Sequence, residues 1–332
     1  MDPRKFLAIF LGSHLLLSTV VSTPPTAVAL WSSGELRLAL VWLAFVILCA
    51  VGSRDRAAAG GGKSLFWSWD RWARWGEGTA FFLSLFVMMQ IYMTLKIAIP
   101  HHVAFYADPY FAKADAALFG IDPWKITHGL LDEGATRLLD RFYVLPCAAV
   151  TFAMTVWACY SSDRAFSRRA VLAICLCWIL LGNWAALLLS SAGPVYYEHF
   201  YGVPRFRELV AALPPDLIAV RTQAYLLENF GEPGFGKGIS AMPSMHNALY
   251  LLLIWMIHDR FGNSWQLWLA ILFEAVVFVA SIHLGWHYAF DGIVAALLVP
   301  AVWFAAKWVE RLPELRLGVG MPTKVAFQKV LH

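Results

Sequence analysis

The sequence predicts an all-α, polytopic integral membrane protein with about eight transmembrane helices. Three observations carry this expectation. Hydrophobic residues make up 60% of the 332 and charged residues 14%, against about 25% charged in soluble domains. The apolar residues fall in blocks of about 16 to 24, the length a helix needs to cross a hydrocarbon core about 30 Å thick. Sixteen tryptophans suit the headgroup belts where amphipathic rings settle.

The blocks cover 6–22, 36–52, 79–99, 142–160, 169–192, 244–258, 266–285 and 288–309. The first reads two ways. Arg4 and Lys5 before a run ending in Thr26-Ala27-Val28-Ala29 resemble a signal peptide with its cleavage site, or they open a retained signal-anchor helix, the expectation carried forward. Connections on the side holding the N-terminus are short and carry most of the Lys and Arg, among them Arg54, Arg56, Arg71, Arg74, Arg164, Arg168 and Arg169. The positive-inside rule assigns that side, with both termini, to the cytoplasm. The chain then divides into residues 1–78, with two helices and a Trp- and Arg-rich stretch (66–75) expected to lie as a short interfacial helix; a six-helix core, 79–310; and a cytoplasmic tail, 311–332.

On the opposite side lie two long connections, 100–141 and 193–243. The second holds two amphipathic stretches broken by Pro214-Pro215, then a Gly-rich run from Gly231 to Gly238. A loop of about 50 residues is far longer than usual and implies a function or fold of its own. The net charge of +4 gives no nucleic-acid signal. Cys49, Cys147, Cys159, Cys175 and Cys177 all lie in or beside apolar segments and read as buried thiols, without disulfide or zinc spacing.

Chemistry concentrates in Ser240-Ala241-Met242-Pro243-Ser244-Met245-His246-Asn247 and in Ser281 to Asp291, which contains His283, His287 and Tyr288. His246 opens the sixth segment and His287 the eighth. Two crossings separate them, so both face the non-cytoplasmic side. Pro243 and Ser244 read as a helix start whose first N–H groups form an anion site, with Ser244 as cap or phosphate ligand. His287 and Asp291, at i and i+4, place a carboxylate within reach of the second imidazole nitrogen. That is the pairing that orients a nucleophile. A carboxylate at an apolar helix costs about 2.5 to 3.5 kcal/mol at its centre, so Asp291 needs such a partner. His246 is left to protonate a leaving alkoxide and then to activate an acceptor. His283 either shapes the site or is a satisfied loop histidine, Tyr288 is either packing or a substrate contact, and Glu274 is either a functional charge or a hydrogen-bonded structural carboxyl.

The pattern P-S-x-H, followed about forty residues later by H-Y-x-x-D, resembles the type-2 phosphatidic-acid phosphatase superfamily. Asp115 to Pro123, Ser191 to Pro194 and Ser240 to His246 resemble its branch of inositol phosphorylceramide and sphingomyelin synthases. The resemblance implies a phosphohistidine mechanism with neither metal nor cofactor: His287 attacks phosphorus, Asp291 orients it and His246 serves the leaving group. It implies membrane lipid partners, a phospholipid donor with a lipid alcohol or water as acceptor, and a site facing periplasm, lumen or exterior. The expected activity is lipid phosphotransfer, with lipid phosphate hydrolysis as the alternative and a non-catalytic transporter or haem protein as rivals from other classes. Two departures stand out. The superfamily's phosphatases carry an arginine where this chain has Ser281, and their K-x(6)-R-P motif has no match. The replacement cation is sought among Lys237, ranked first for its place six residues before Pro243, Arg205, Arg207, Arg221 and Lys96.

Overall fold

A computed structural model describes residues 69–232 and 236–311. The first two expected helices, Cys49, Gly234-Phe235 and the C-terminal tail lie outside the described residues. Long helices are α1 (Trp69–His102), α4 (Glu133–Tyr160), α5 (Arg164–Leu188), α9 (Met245–Phe261), α10 (Trp265–His283) and α11 (Ala289–Arg311). Between them lie α2 (Asp108–Phe119), α3 (Pro123–Leu130), α6 (Tyr197–Tyr201), α7 (Arg207–Ala212) and α8 (Ile218–Glu228). Five helices, α1, α4, α5, α10 and α11, are long and apolar enough to cross a membrane, so the chain is an integral membrane protein. The sixth expected segment is α9, a 17-residue helix about 25 Å long that packs on α5, α10 and α11.

Two boundaries differ from expectation for identifiable reasons. The stretch from Trp69 is not a separate interfacial helix but the start of α1. No proline occurs in it before Pro100, and Gly78 packs so tightly on Tyr160 that a Cβ would lie 2.6 Å from its ring. Helix α4 begins before the apolar block because its first turns are polar: Asp132 caps it by accepting from the Ala135 N–H at 2.8 Å.

The core lies where α5 threads between its neighbours. Ala170 and Ala173 of α5 are fully buried, and these small side chains let α5 pack with Leu252 and Met256 of α9 and Val299 and Trp303 of α11. Cys147, Cys159, Cys175 and Cys177 are free and buried. At one end of the bundle, ion pairs join helix termini. Arg164 and Arg168 meet Glu77, Arg169 bridges Asp259 and Glu310, Lys307 also reaches Asp259, and Arg260 faces Asp163.

At the opposite end the connections 103–132, 189–244 and 284–288 meet, held by three buried carboxylates that each accept from two successive backbone N–H groups. Asp115 holds Ala289 and Phe290 at the start of α11, and Asp140 holds Ile218 and Ala219 at the start of α8. Asp108 holds Ala192 and Gly193 and also takes the hydroxyls of Tyr201 and Tyr288. Gly193 is required there, since its φ is +105° and a Cβ would lie 2.7 Å from the Trp286 carbonyl. Hydrogen bonds to a buried carboxylate are each worth about 1.5 to 3 kcal/mol. Asp108→Asn, which turns an NH2 toward N–H donors, should therefore lower stability by about 3 kcal/mol and shift thermal unfolding in detergent clearly downward. An unchanged midpoint would remove Asp108 as the anchor of this end.

Candidate active site

His246 is the second residue of α9, and His287 sits in the short turn before α11. Both line one cavity of about 810 Å³. Its walls come from α1 (Met88, Met89, Tyr92, Lys96), α4 (Tyr143, Phe152, Met154), α5 (Trp178, Gly182) and α8 (Thr222), and from Gly238, Ser240 and Trp286. The histidines therefore stand at the head of a cavity whose remainder is largely apolar and reaches between the long helices.

The turn that presents His287 is tightly specified. The Ser281 carbonyl accepts from the N–H groups of Trp286 and His287, at 3.0 and 3.1 Å. His287 Nδ1 lies 3.2 Å from Asp291 Oδ2, which also accepts the Tyr288 N–H at 3.0 Å. With Asp291 ionised and accepting, Nδ1 carries the proton and Nε2 keeps a lone pair. Burial, with Lys96 beside it and the Ala241 carbonyl opposing, pushes the His287 imidazole down to about 3. The ring is therefore neutral at ordinary pH. The second carboxylate oxygen, Asp291 Oδ1, is buried with no hydrogen-bond partner.

His246 has a different partner. Its Nδ1 is 3.1 Å from the hydroxyl of Tyr143, on α4, and the two rings lie 4.6 Å apart. With the Tyr143 O–H donating to Nδ1, the proton of a neutral His246 sits on Nε2, where it can be given away. Sequence reasoning missed Tyr143 because 103 positions separate it from His246. Its place in the polar first half of α4 was the one available signal.

The remaining expected residues divide. Ser244 is fully buried and outside the cavity wall. It makes no cap hydrogen bond; its hydroxyl donates instead to Asn247 Oδ1 at 2.6 Å. Ser281 donates to the Phe278 carbonyl, and Tyr288 turns away to Asp108. His283 is bonded to Thr127 and Thr136 and stacked on His128. None of these three lines the cavity. Among the cations, Arg205 is paired with Asp122 at 2.6 Å and Arg207 with Glu198. Lys237 is flanked by Gly236 and Gly238, which do line the cavity, but its own side chain does not.

Lys96 does. It reaches the wall from the last turns of α1, its ammonium 5.9 Å from the Tyr92 ring centroid, and among the described residues no carboxylate pairs with it. Gly238 fixes its stem, since a Cβ there would lie 2.9 Å from Lys96 Cγ. The cavity thus joins two imidazoles, one backed by a carboxylate and one by a phenol, to a lysine ammonium and an uncapped helix start. This set can attack, protonate and neutralise a phosphoryl group.

Neither the curated proteins nor the solved structures include a match to this chain. A family model described as the PAP2 superfamily matches residues 109–305, a span that contains α3 to α10, all of α2 but its first residue, both histidines and Asp291. By that match the chain belongs to the PAP2 superfamily, whose members are phosphatases and phosphotransferases.

Proposed function

We propose that this protein is a membrane-embedded lipid phosphotransferase that works through a phosphohistidine on His287, within a six-helix core formed by α1, α4, α5, α9, α10 and α11. The observation that carries the reading is the placement of His246 and His287 in one cavity, each with its Nδ1 engaged by a different partner. Nε2 of His287 attacks phosphorus as the P–O bond to the donor's leaving group breaks, and the departing alkoxide takes the Nε2 proton of His246. An acceptor hydroxyl then gives its proton back to His246 Nε2, attacks phosphorus and breaks the P–N bond, which restores both imidazoles. Lys96 and the first amides of α9 neutralise the phosphoryl oxygens. Asp291 holds the proton on Nδ1 of His287 and stabilises the positive charge that develops on the ring.

The apolar wall formed by Met88, Met89, Phe152, Met154 and Trp178 supports a lipid as the carrier of the phosphate, and a volume near the upper end of ordinary ligand pockets supports a chain beside the headgroup. The likeness of Ser191 to Pro194 and Ser240 to His246 to the inositol phosphorylceramide synthase branch supports a lipid alcohol as acceptor. The distribution of Lys and Arg supports a site on the non-cytoplasmic face.

The test incubates purified protein with a panel of labelled phospholipids, with and without ceramide, diacylglycerol and inositol. A labelled lipid product that requires an added alcohol is the expected result. Release of inorganic phosphate alone would reassign the protein as a lipid phosphatase, and full turnover by His287→Ala would end the reading.

A further inference from the structure

The buried chain Ser244–Asn247–Glu274 takes no part in the mechanism above, yet it begins at the residue before α9. Glu274 is on α10, 8% exposed, in a segment apolar enough to cross a membrane. Its Oε1 accepts from Asn247 Nδ2 at 3.0 Å, and its Oε2 is buried with no partner. The titratable groups facing it are Tyr143 and Cys147 of α4 and Tyr250 of α9; none is a cation. A carboxyl buried in a membrane helix is costly to keep and is ordinarily retained for a role. Among the described residues no ion pair explains this one.

Its effect on the site follows from the directions of the hydrogen bonds. A serine at the position of Ser244 ordinarily accepts, through Oγ, the N–H of the second or third helical residue. Here those are His246, which lines the cavity, and the residue after it, Asn247. Such a cap would occupy an N–H that an anion needs. Ser244 does not cap α9; it donates to Asn247 Oδ1. Asn247 can present that oxygen to Ser244 only while its NH2 points the other way, and the acceptor there is Glu274 Oε1.

We propose that Glu274 is a positioning residue for the phosphoryl site: by fixing the amide of Asn247 it holds the Ser244 hydroxyl away from the helix end, so that the first amides of α9 stay open to phosphoryl oxygens. The inference rests on the cavity being a phosphoryl site, and the experiment separates the two. Glutamine keeps an acceptor oxygen for Asn247 Nδ2, whereas leucine removes it and frees Asn247 to turn, which lets Ser244 cap the helix.

Orthovanadate, which mimics the five-coordinate phosphorus of the transfer step, is titrated into the purified full chain in detergent, and melting temperatures are recorded for every variant. Glu274→Leu should weaken vanadate binding about tenfold, the equivalent of one hydrogen bond to a charged group. Glu274→Gln should stay within about twofold of wild type. The sharpest expectation is suppression. Ser244→Ala has no hydroxyl with which to cap, so adding it to Glu274→Leu should restore affinity to within about threefold of wild type. Asn247→Leu, with and without Ser244→Ala, repeats the comparison if Glu274→Leu does not fold. Wild-type protein that binds no vanadate would remove the phosphoryl site itself. Wild-type protein that binds, together with losses that Ser244→Ala fails to suppress or a Gln variant as weak as the Leu variant, would overturn the role of Glu274 alone.

Discussion

Replacing His287 by alanine should lower turnover by about ten-thousand-fold or more and leave the melting temperature almost unchanged. The side chain lines the cavity and is held by Asp291 and the Ala241 carbonyl, so its loss removes the nucleophile without opening a packed core. Asp291→Asn should lower turnover by about a thousandfold, since the amide can donate to Nδ1 and force the proton onto the attacking nitrogen. Rapid mixing with a labelled phospholipid, followed by alkaline quench, reads both effects. Wild-type protein should hold label as an alkali-stable phosphohistidine, absent from the alanine variant. Because burial keeps His287 neutral down to about 3, ionisation of this ring should give kcat/KM no acid limb between about pH 5 and 8. A label retained on the alanine variant would move the nucleophile elsewhere.

The second large effect is expected at Lys96. Lys96→Met should reduce kcat/KM by about a hundredfold to a thousandfold, the usual cost of removing one preorganised charge from a phosphoryl site. Lys96→Arg should recover part of the loss, limited by the close contact of Gly238 with the lysine stem. Lys237→Met should change kcat/KM by no more than about threefold, because this half-buried side chain lies outside the cavity wall. Arg205→Met should act on stability, through the lost pair with Asp122, with KM unchanged. Equal losses at Lys96 and Lys237 would show that the Gly-rich run closes over the substrate.

The cation shows where sequence reasoning stops. The sequence points to Lys237 for its closeness to Pro243 along the chain, whereas the lysine whose side chain lines the cavity is Lys96, at the far end of α1 and about 150 positions away. What could be read was local or topological. The i, i+4 spacing pairs His287 with Asp291, and counting crossings puts His246 on the same face as His287, with which it lines one cavity. Ser281, His283 and Tyr288 fall inside the same motif but turn elsewhere. Tyr288 follows His287 directly, so its side chain leaves the backbone in another direction, and there it meets Asp108. A motif names a stretch of backbone, and only the fold decides which of its side chains share a face. The helices were legible where they are apolar. The first turns of α4 were not, because their polar residues satisfy buried partners such as Thr136 with His283. Ser244 was legible as a helix start, but its diversion to Asn247 depends on Glu274, from another helix.

The ion pairs at the opposite end of the bundle have a consequence in time. On the proposed orientation, Arg164, Arg168, Arg169, Arg260 and Lys307 are among the charges that would hold that end in the cytoplasm while the chain is being inserted, when each segment meets the bilayer before its neighbours have arrived. In the finished fold the same side chains are occupied by Glu77, Asp163, Asp259 and Glu310. Acidic residues carry little weight in orienting a segment, so these carboxylates do not blur the signal, and they receive the arginines once it has been read. On that orientation, one set of residues serves first as an address during synthesis and afterwards as the stitching that closes the bundle.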